Sequence, residues 1–251
     1  MDAKDLRYPS KIKCSVCLAT WNKADILRDV LDSMCRQSPP FGFEVIVADD
    51  GSTDATAAVC RDAPVKYIHL ESEGERGSAV ARNAAYRAAV GEIIIAQSDD
   101  VVHGSDTTLA RLVEELHSGE FVLATVRNVH PGTTESHGLA CSEYTGRRRI
   151  KPYFFLGALW RADLYAVGGN DEDFTEMGGE DVWFADCLVS GSGLRWRILD
   201  DVIGYHQSHS YSPTRLEENR RMDELRLSKL RNARSGKGPY CAASGPWEYA
   251  P

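Results

Sequence analysis

The sequence predicts an α/β domain of three layers, with helices covering both faces of a mostly parallel sheet. Three observations carry that prediction. Apolar, strand-like runs alternate with amphipathic helical stretches through the first half of the chain, and such alternation yields parallel strands joined by crossover helices. Three of these runs end directly in polar turns, Thr20-Trp21-Asn22, Asp49-Asp50 and Ser98-Asp99-Asp100, at the carboxyl strand ends where open α/β sheets bind ligands. The length, 251 residues, suits one large domain with a sizeable core.

Each element has a local reason. Lys13 to Ala19 is continuously apolar enough for a buried strand. From Lys23, the residues Ile26, Leu27, Val30, Leu31, Met34 and Cys35 form one helical stripe, with Asn22 placed to cap it and Asp25 suited to its first turn. Ser38-Pro-Pro-Phe-Gly42 breaks the pattern before a strand over Phe43 to Ala48. A short helix over Ala55 to Arg61, a strand over Val65 to Leu70, an alanine-rich helix over Ser78 to Val90 and a strand over Glu92 to Gln97 follow. Further on, Thr107 to Leu116 reads as a helix and Phe121 to Val126 as a strand. A polar loop from His130 to about Lys151 contains Arg147-Arg148-Arg149, read as a solvated run. Phe154 to Trp160 is apolar, and a short helix near Ala162 ends at Gly168-Gly169. Gly178-Gly179-Glu180-Asp181 opens a helix over Val182 to Val189. Leu194 to Leu199 and Val202 to Tyr205 read as two strands leading to His206-Gln-Ser-His209, before a charged helix from Thr214 to about Ala233.

Composition narrows the function classes. Lys and Arg total 29 against 37 Asp and Glu, a formal charge of −8, which disfavours a broad electrostatic footprint on nucleic acid. The richest apolar run, Tyr153 to Trp160, falls far short of the roughly 18 residues of a membrane span. The opening MDAKDLRYPSK has no signal-peptide core, so a cytoplasmic location is expected, with seven cysteines as reduced thiols. Cys14 and Cys17 have the spacing of a zinc knuckle, but on a strand they point to opposite faces, and no second close pair completes a tetrahedral site.

Neighbouring carboxylates at strand ends repel one another unless a cation lies among them. Oxygen donors suit Mg²⁺ or Mn²⁺, ions that complete their shells with substrate phosphates. A diphosphate-containing substrate therefore fits Asp99-Asp100. Neither a G-x-x-x-x-G-K-[ST] loop nor a G-x-G-x-x-G after the first strand is present, which disfavours P-loop enzymes and nicotinamide dehydrogenases.

Four ordered segments, Val16-Cys-Leu-Ala-Thr-Trp-Asn-Lys23, Glu44-Val-Ile-Val-Ala-Asp-Asp-Gly-Ser-Thr-Asp54, Ala81-Arg-Asn-Ala84 and Gly91-Glu-Ile-Ile-Ile-Ala-Gln-Ser-Asp-Asp100, together with Gly178-Gly-Glu-Asp-Val-Trp183 and His206, resemble glycosyltransferase family 2. The resemblance covers roughly residues 12 to 210 and implies the GT-A, Rossmann-like fold of nucleotide-diphospho-sugar transferases. It implies a single domain over 1–233, with 1–110 binding the nucleotide sugar and 111–233 the acceptor, and a tail over 234–251.

The resemblance also implies roles. Ala19, Thr20 and Trp21 are expected at the nucleobase, Asp50 on a base N–H, Asp99 near the ribose and Asp100 on the metal. Asp181 matches the general base, Glu180 a neighbour holding the acceptor, and His206 a histidine reaching the metal or diphosphate. The His-x-x-His spacing permits a second ligand at His209. Arg82 (or Arg76) is set on the diphosphate, helix-surface solvation being the alternative. Trp183 reads either as core or as a platform stacking on a sugar. Ser98 departs from the family by standing at the first aspartate of its Asp-x-Asp, and Ala19 by replacing a proline.

The implied activity is metal-dependent, inverting transfer from a nucleotide-diphosphate sugar, UDP-sugar favoured, to an acceptor hydroxyl. The acceptor classes are a glycan, a lipid-linked sugar or a small molecule, with nucleic acid less favoured. Two rival readings are a nucleotide-sugar-binding module that has lost catalysis and a transferase acting on a modified nucleic acid base.

Overall fold

The computed structural model describes residues 12–71, 77–130, 143–147, 150–176, 178–209 and 213–249. Four parallel strands, β1 (Ile12–Thr20), β2 (Gly42–Asp49), β3 (Lys66–His69) and β4 (Ile93–Ser98), stand in the order β3-β2-β1-β4. Helices α1 (Ala24–Cys35), α2 (Thr56–Asp62) and α3 (Ala79–Ala88) make the crossovers. The sheet continues through β8 (Leu156–Trp160), β6 (Glu120–Val129), β9 (Arg195–Gln207) and β5 (Val101–His103), with β7 (Glu143–Thr145) on β6. Beyond β4 the pairing is mixed: β8 runs antiparallel to both β4 and β6, and β9 is parallel to β6 but antiparallel to β5. The parallel character expected for most of the sheet is continuous in its amino-terminal half and returns in the β6–β9 pair. Hydrophobic periodicity identifies strands but carries no information about their direction.

The sheet separates two cores. Alternate residues of β1 divide between them, Cys14, Val16 and Leu18 facing α1 and Cys17 facing α3, as the period of two requires. Cys14 and Cys17 are both buried, and burial pushes the Cys14 thiol up to about 12, so neither is poised as a thiolate zinc ligand. Small residues on α3, Ala81 and Ala85, are fully buried and allow the close approach to β1 and β2.

Three local expectations are corrected. Asn22 does not cap α1; the Ala24 N–H donates instead to Asp54 Oδ2 at 3.1 Å. Asn22 takes a left-handed φ of 50°, tolerable for asparagine, and its Oδ1 accepts from the Thr53 and Asp54 N–H groups, pinning one strand-end loop to the next. The two strands read over 194–205 are one, β9, interrupted by a bulge. Ala124 pairs with Leu199 but Thr125 with Ile203, so residues 200–202 loop out. The polar loop after β6 includes β7, while Arg148 and Arg149 lie outside the described residues; Arg147 is exposed and pairs with Asp200.

The remaining helices are α4 (Thr108–Glu114), α5 (Arg161–Ala166), α6 (Glu180–Asp186), which runs on into a wider turn over Cys187–Gly191, and α7 (Arg215–Arg234). Residues 242–247 lie against α5: Ala242 N–H donates to Val167 O and Trp247 N–H to Tyr165 O, each at 2.8 Å. Arg87 stacks on Trp247, 4.1 Å from its ring centre. Gly169 makes this approach possible, since a Cβ there would sit 2.4 Å from Trp247 and 2.5 Å from Asn83 Oδ1. No helix among the described residues is long and apolar enough to cross a membrane.

Candidate active site

Strand register brings the polar turns together. Thr20 is paired with Asp49 and Ala19 with Ser98, so the residues that follow them emerge side by side at the carboxyl edge. They open into a cleft of ≈ 690 Å³ lined by Ala19, Thr20, Trp21, Asp50 and Asp99, by Ser78 and Ala81 at the start of α3, and by Arg215 and Glu218 of α7. Of the adjacent aspartates, Asp49 is consumed internally, accepting from the Ser52 N–H and the Tyr67 hydroxyl. Asp50 is left to face the cleft. Thr20 Oγ1 and Ser78 Oγ are buried there without a hydrogen-bond partner among the described residues, a costly state that a polar ligand would relieve.

A second group forms where β4 ends. Asp100 Oδ2 lies 3.1 Å from His209 Nε2 and 3.5 Å from His206 Nε2, and the three side chains can present ligand atoms within 4.8 Å of one another. The β5–β9 ladder delivers this geometry: Val101 pairs with His206, and the Gln207 N–H donates to Asp100 O at 2.8 Å. His206 Nδ1 is engaged by Asn128 Oδ1 at 3.2 Å, the type of outer contact that orients the other ring nitrogen toward a metal. Asp100 Oδ1 is buried and has no hydrogen-bond partner among the described residues. That orphaned oxygen, together with two imidazoles, fits a divalent cation. A third histidine, His103, belongs to the core: Gln97 Oε1 lies 2.8 Å from its Nε2, and burial pushes its pKa down to about 3.

Lys23, which sequence reasoning assigned only to a helix start, reaches into this group. Its Nζ is 3.0 Å from Asp99 Oδ1 and 2.7 Å from Asp100 Oδ2. Burial works against its charge, but the two carboxylates raise its pKa above the usual lysine value. Burial likewise pushes Asp100 up, yet Lys23 and His206 more than offset it and hold its carboxyl well below the ordinary range. The one available signal was that Lys23 follows the polar turn of the first strand directly.

Glu180 and Asp181 begin α6. Gly179 precedes them at φ 80°, and a Cβ there would meet the Met222 backbone oxygen at 3.0 Å, so glycine lets α7 close against this turn. Glu180 bends back to accept the Gly178 N–H at 2.9 Å. Burial, then the neighbouring Asp181 charge, raise its pKa above the usual glutamate value. Asp181 is held by Arg82, Nη1 to Oδ1, at 2.5 Å. Arg82 is therefore buried and paired with Asp181, not solvated on the helix surface. Its position on α3 aims it at α6, and its buried guanidinium is already engaged. Arg76 lies outside the described residues. Trp183 is core, 2% exposed, with its Nε1–H donating to Asp171 Oδ2 at 3.0 Å.

Glu180 supplies a stability test. A carboxyl whose folded pKa is raised contributes stability that is fully present below its unfolded value and lost as pH rises through the folded one. Glutamine keeps the acceptor for Gly178 and carries no charge. Glu180→Gln is thus expected to melt higher than the parent at about pH 8, the gap closing near pH 4, around the unfolded glutamate pKa. Scanning calorimetry at the two pH values checks this, and a less stable variant at about pH 8 would contradict it.

An open sheet whose strand ends gather acidic side chains around a cleft, with one histidine on a later strand and a second just past its end, is an α/β protein with its ligand site at the carboxyl edge of the sheet. Residues 15–168 match the family model described as Glycosyl transferase family 2. The chain belongs to glycosyltransferase family 2. Over 214 residues it is 30% identical to validoxylamine A glucosyltransferase of Streptomyces hygroscopicus subsp. jinggangensis, covering 67% of this chain and 49% of that protein. It therefore spans about half the length of that curated relative. Chondroitin synthase of Pasteurella multocida is 26% identical, covering 78% of this chain and 25% of that protein. Among solved structures, mannosyltransferase PcManGT from Pyrobaculum calidifontis, in complex with GDP-Man and Mn²⁺, superposes with TM-score 0.64 at 24% identity, covering 92% of this chain and 67% of that one. S. aureus TarS in complex with UDP-GlcNAc gives 0.58 at 22%, covering 80% and 60%. These likenesses carry the fold, which is that of the GT-A class.

Proposed function

We propose that this chain transfers a sugar from a nucleotide-diphosphate sugar to an acceptor hydroxyl, with inversion at the anomeric carbon. The observation that carries the reading is the convergence of the cleft over Thr20, Trp21, Asp50 and Asp99 with the Asp100–His206–His209 group at one edge of the sheet. The matched relatives include glycosyltransferases, and neighbouring folds have been solved with UDP-GlcNAc and with GDP-Man.

In this reading Trp21 flanks the nucleobase, and Asp50 accepts its ring N–H. Asp99 faces the ribose. Asp100, His206 and His209 would hold a divalent cation, and the two imidazoles would favour Mn²⁺ over the harder Mg²⁺. When bound, the cation neutralises charge developing on the leaving diphosphate. Lys23 holds Asp99 and Asp100 in place and keeps positive charge at the same edge. Asp181 takes the acceptor proton as the acceptor oxygen bonds to the anomeric carbon, while the bond to the diphosphate oxygen breaks and its electron pair leaves with the nucleoside diphosphate. A single base acting opposite the leaving group produces inversion. Glu180, already turned onto Gly178, keeps its other oxygen for the acceptor. UDP-sugar is the favoured donor class.

Calorimetric titration with UDP, dTDP and GDP, each with and without Mn²⁺, tests the reading. One nucleotide is expected to bind in a metal-dependent way. Binding of none under either condition would overturn the donor-site assignments together. Metal-dependent binding with no transfer or hydrolysis of any sugar nucleotide would favour a binding module instead.

A further inference from the structure

We propose that Arg82 is a positioning residue for the Asp181 carboxylate: it anchors Oδ1 so that Oδ2 is presented to the acceptor hydroxyl. This rests on the reading of Asp181 as the base and extends it to a residue on a different helix, 99 positions away in the chain.

The contact joins two immobilised elements. On α3, the neighbours of Arg82 are locked: Ala81 and Asn83 are fully buried. Asn83 donates to Asn170 O and to Glu172 Oε1, both at 2.8 Å, and its Oδ1 accepts from the Asn170 N–H at 2.9 Å. On α6, Gly179 and the Glu180–Gly178 contact set the helix start, and Trp183 is tied to Asp171. Between them only the two side chains remain to be placed, and they are 10% and 13% exposed. Among the described residues Oδ2 of Asp181 accepts no hydrogen bond, so one oxygen is fixed and the other is available.

The location suits the task. Ser78 and Ala81 line the cleft wall, and Arg82 lies on the same helix face as Ser78, one turn along. The ion pair therefore stands about one helical turn along α3 from the cleft wall, beside the proposed donor site. A carboxylate at the end of two rotatable bonds loses its aim without such a tether, and misplacement on the scale of an ångström costs roughly 10²-fold in rate. The guanidinium is suited to holding a carboxylate oxygen in a fixed plane, whereas an ammonium is a point charge with a different reach.

The test is a double-mutant cycle on the full chain with Mn²⁺, using Arg82→Gln, Arg82→Lys, Asp181→Asn and the Arg82→Gln/Asp181→Asn pair. UDP-glucose and GDP-mannose hydrolysis is followed, with water as the acceptor, and thermal melts establish that each variant is folded. Arg82→Gln is expected to lower kcat by about 10- to 10²-fold with donor KM within about twofold of the parent. Arg82→Lys should fall between the two. In the Asp181→Asn background the Arg82 substitution should cost nothing further, because the group it aims is gone. Equal losses in both backgrounds, or a loss carried by donor KM, would overturn the proposal, the latter returning Arg82 to the diphosphate. If Gln unfolds the chain, the folded Lys variant decides by the same split. Parent-like turnover in Asp181→Asn would instead remove the base assignment, and this proposal with it, and so would the absence of hydrolysis of either donor by the parent.

Discussion

Asp181→Asn is expected to lower turnover by about 10²- to 10⁴-fold, the range that a positioned general base contributes, while leaving nucleotide affinity unchanged. The substitution is nearly isosteric, and asparagine can still present an oxygen to Arg82 Nη1, the contact now made at 2.5 Å. What is lost is the capacity to take a proton. The measurement is steady-state release of nucleoside diphosphate from a sugar nucleotide, paired with calorimetry of the nucleotide alone. Equal turnover in the two proteins would remove Asp181 from the base role. Weakened nucleotide binding would show that the substitution disturbs the cleft instead.

Asp100→Ala is expected to abolish metal-dependent nucleotide binding. Asp100 contacts Lys23, His206 and His209 at once, and its second oxygen is buried with no hydrogen-bond partner among the described residues. Removing a direct ligand should weaken Mn²⁺ binding by more than the roughly 10- to 100-fold typical of outer contacts. Mn²⁺ titration followed by electron spin resonance reads the effect without any requirement for activity. Asp100→Asn, which preserves volume beside Lys23, guards against a loss caused by unfolding, since stripping one member from a buried charge group destabilises a protein by about 3–5 kcal/mol. Undiminished Mn²⁺ affinity in both variants would place the metal elsewhere.

Much of the site is legible because its residues follow strands directly. Trp21, Asp50 and Asp99 each stand one residue past a buried strand, and parallel register then assembles them. The roles of Asp49 and Arg82 are not legible in this way. Asp49 looks equivalent to Asp50 in the sequence, yet its oxygens are taken by Ser52 and by Tyr67 of the neighbouring strand. Arg82 sits in an alanine-rich helix and could face solvent, a phosphate or another side chain until the position of α6 is known. Trp183 is similar: its indole is settled in the core by Asp171, which no local pattern announces.

The sequence by itself determined the three-layer α/β architecture, the strands and helices of the first half and the acidic turns at the strand ends. Apolar periodicity, glycine and proline breaks and turn chemistry are local properties, written within a dozen residues of where they act. Tertiary structure alone decided which charged groups meet. Asp100 and His209 are 109 positions apart, and their meeting depends on the antiparallel β5–β9 ladder and on the bulge at residues 200–202. An unbulged β9 would set Ile203 opposite Asn128, where His206 now stands. Register is a property of two strands together, and an odd-numbered slip turns every later side chain to the other face.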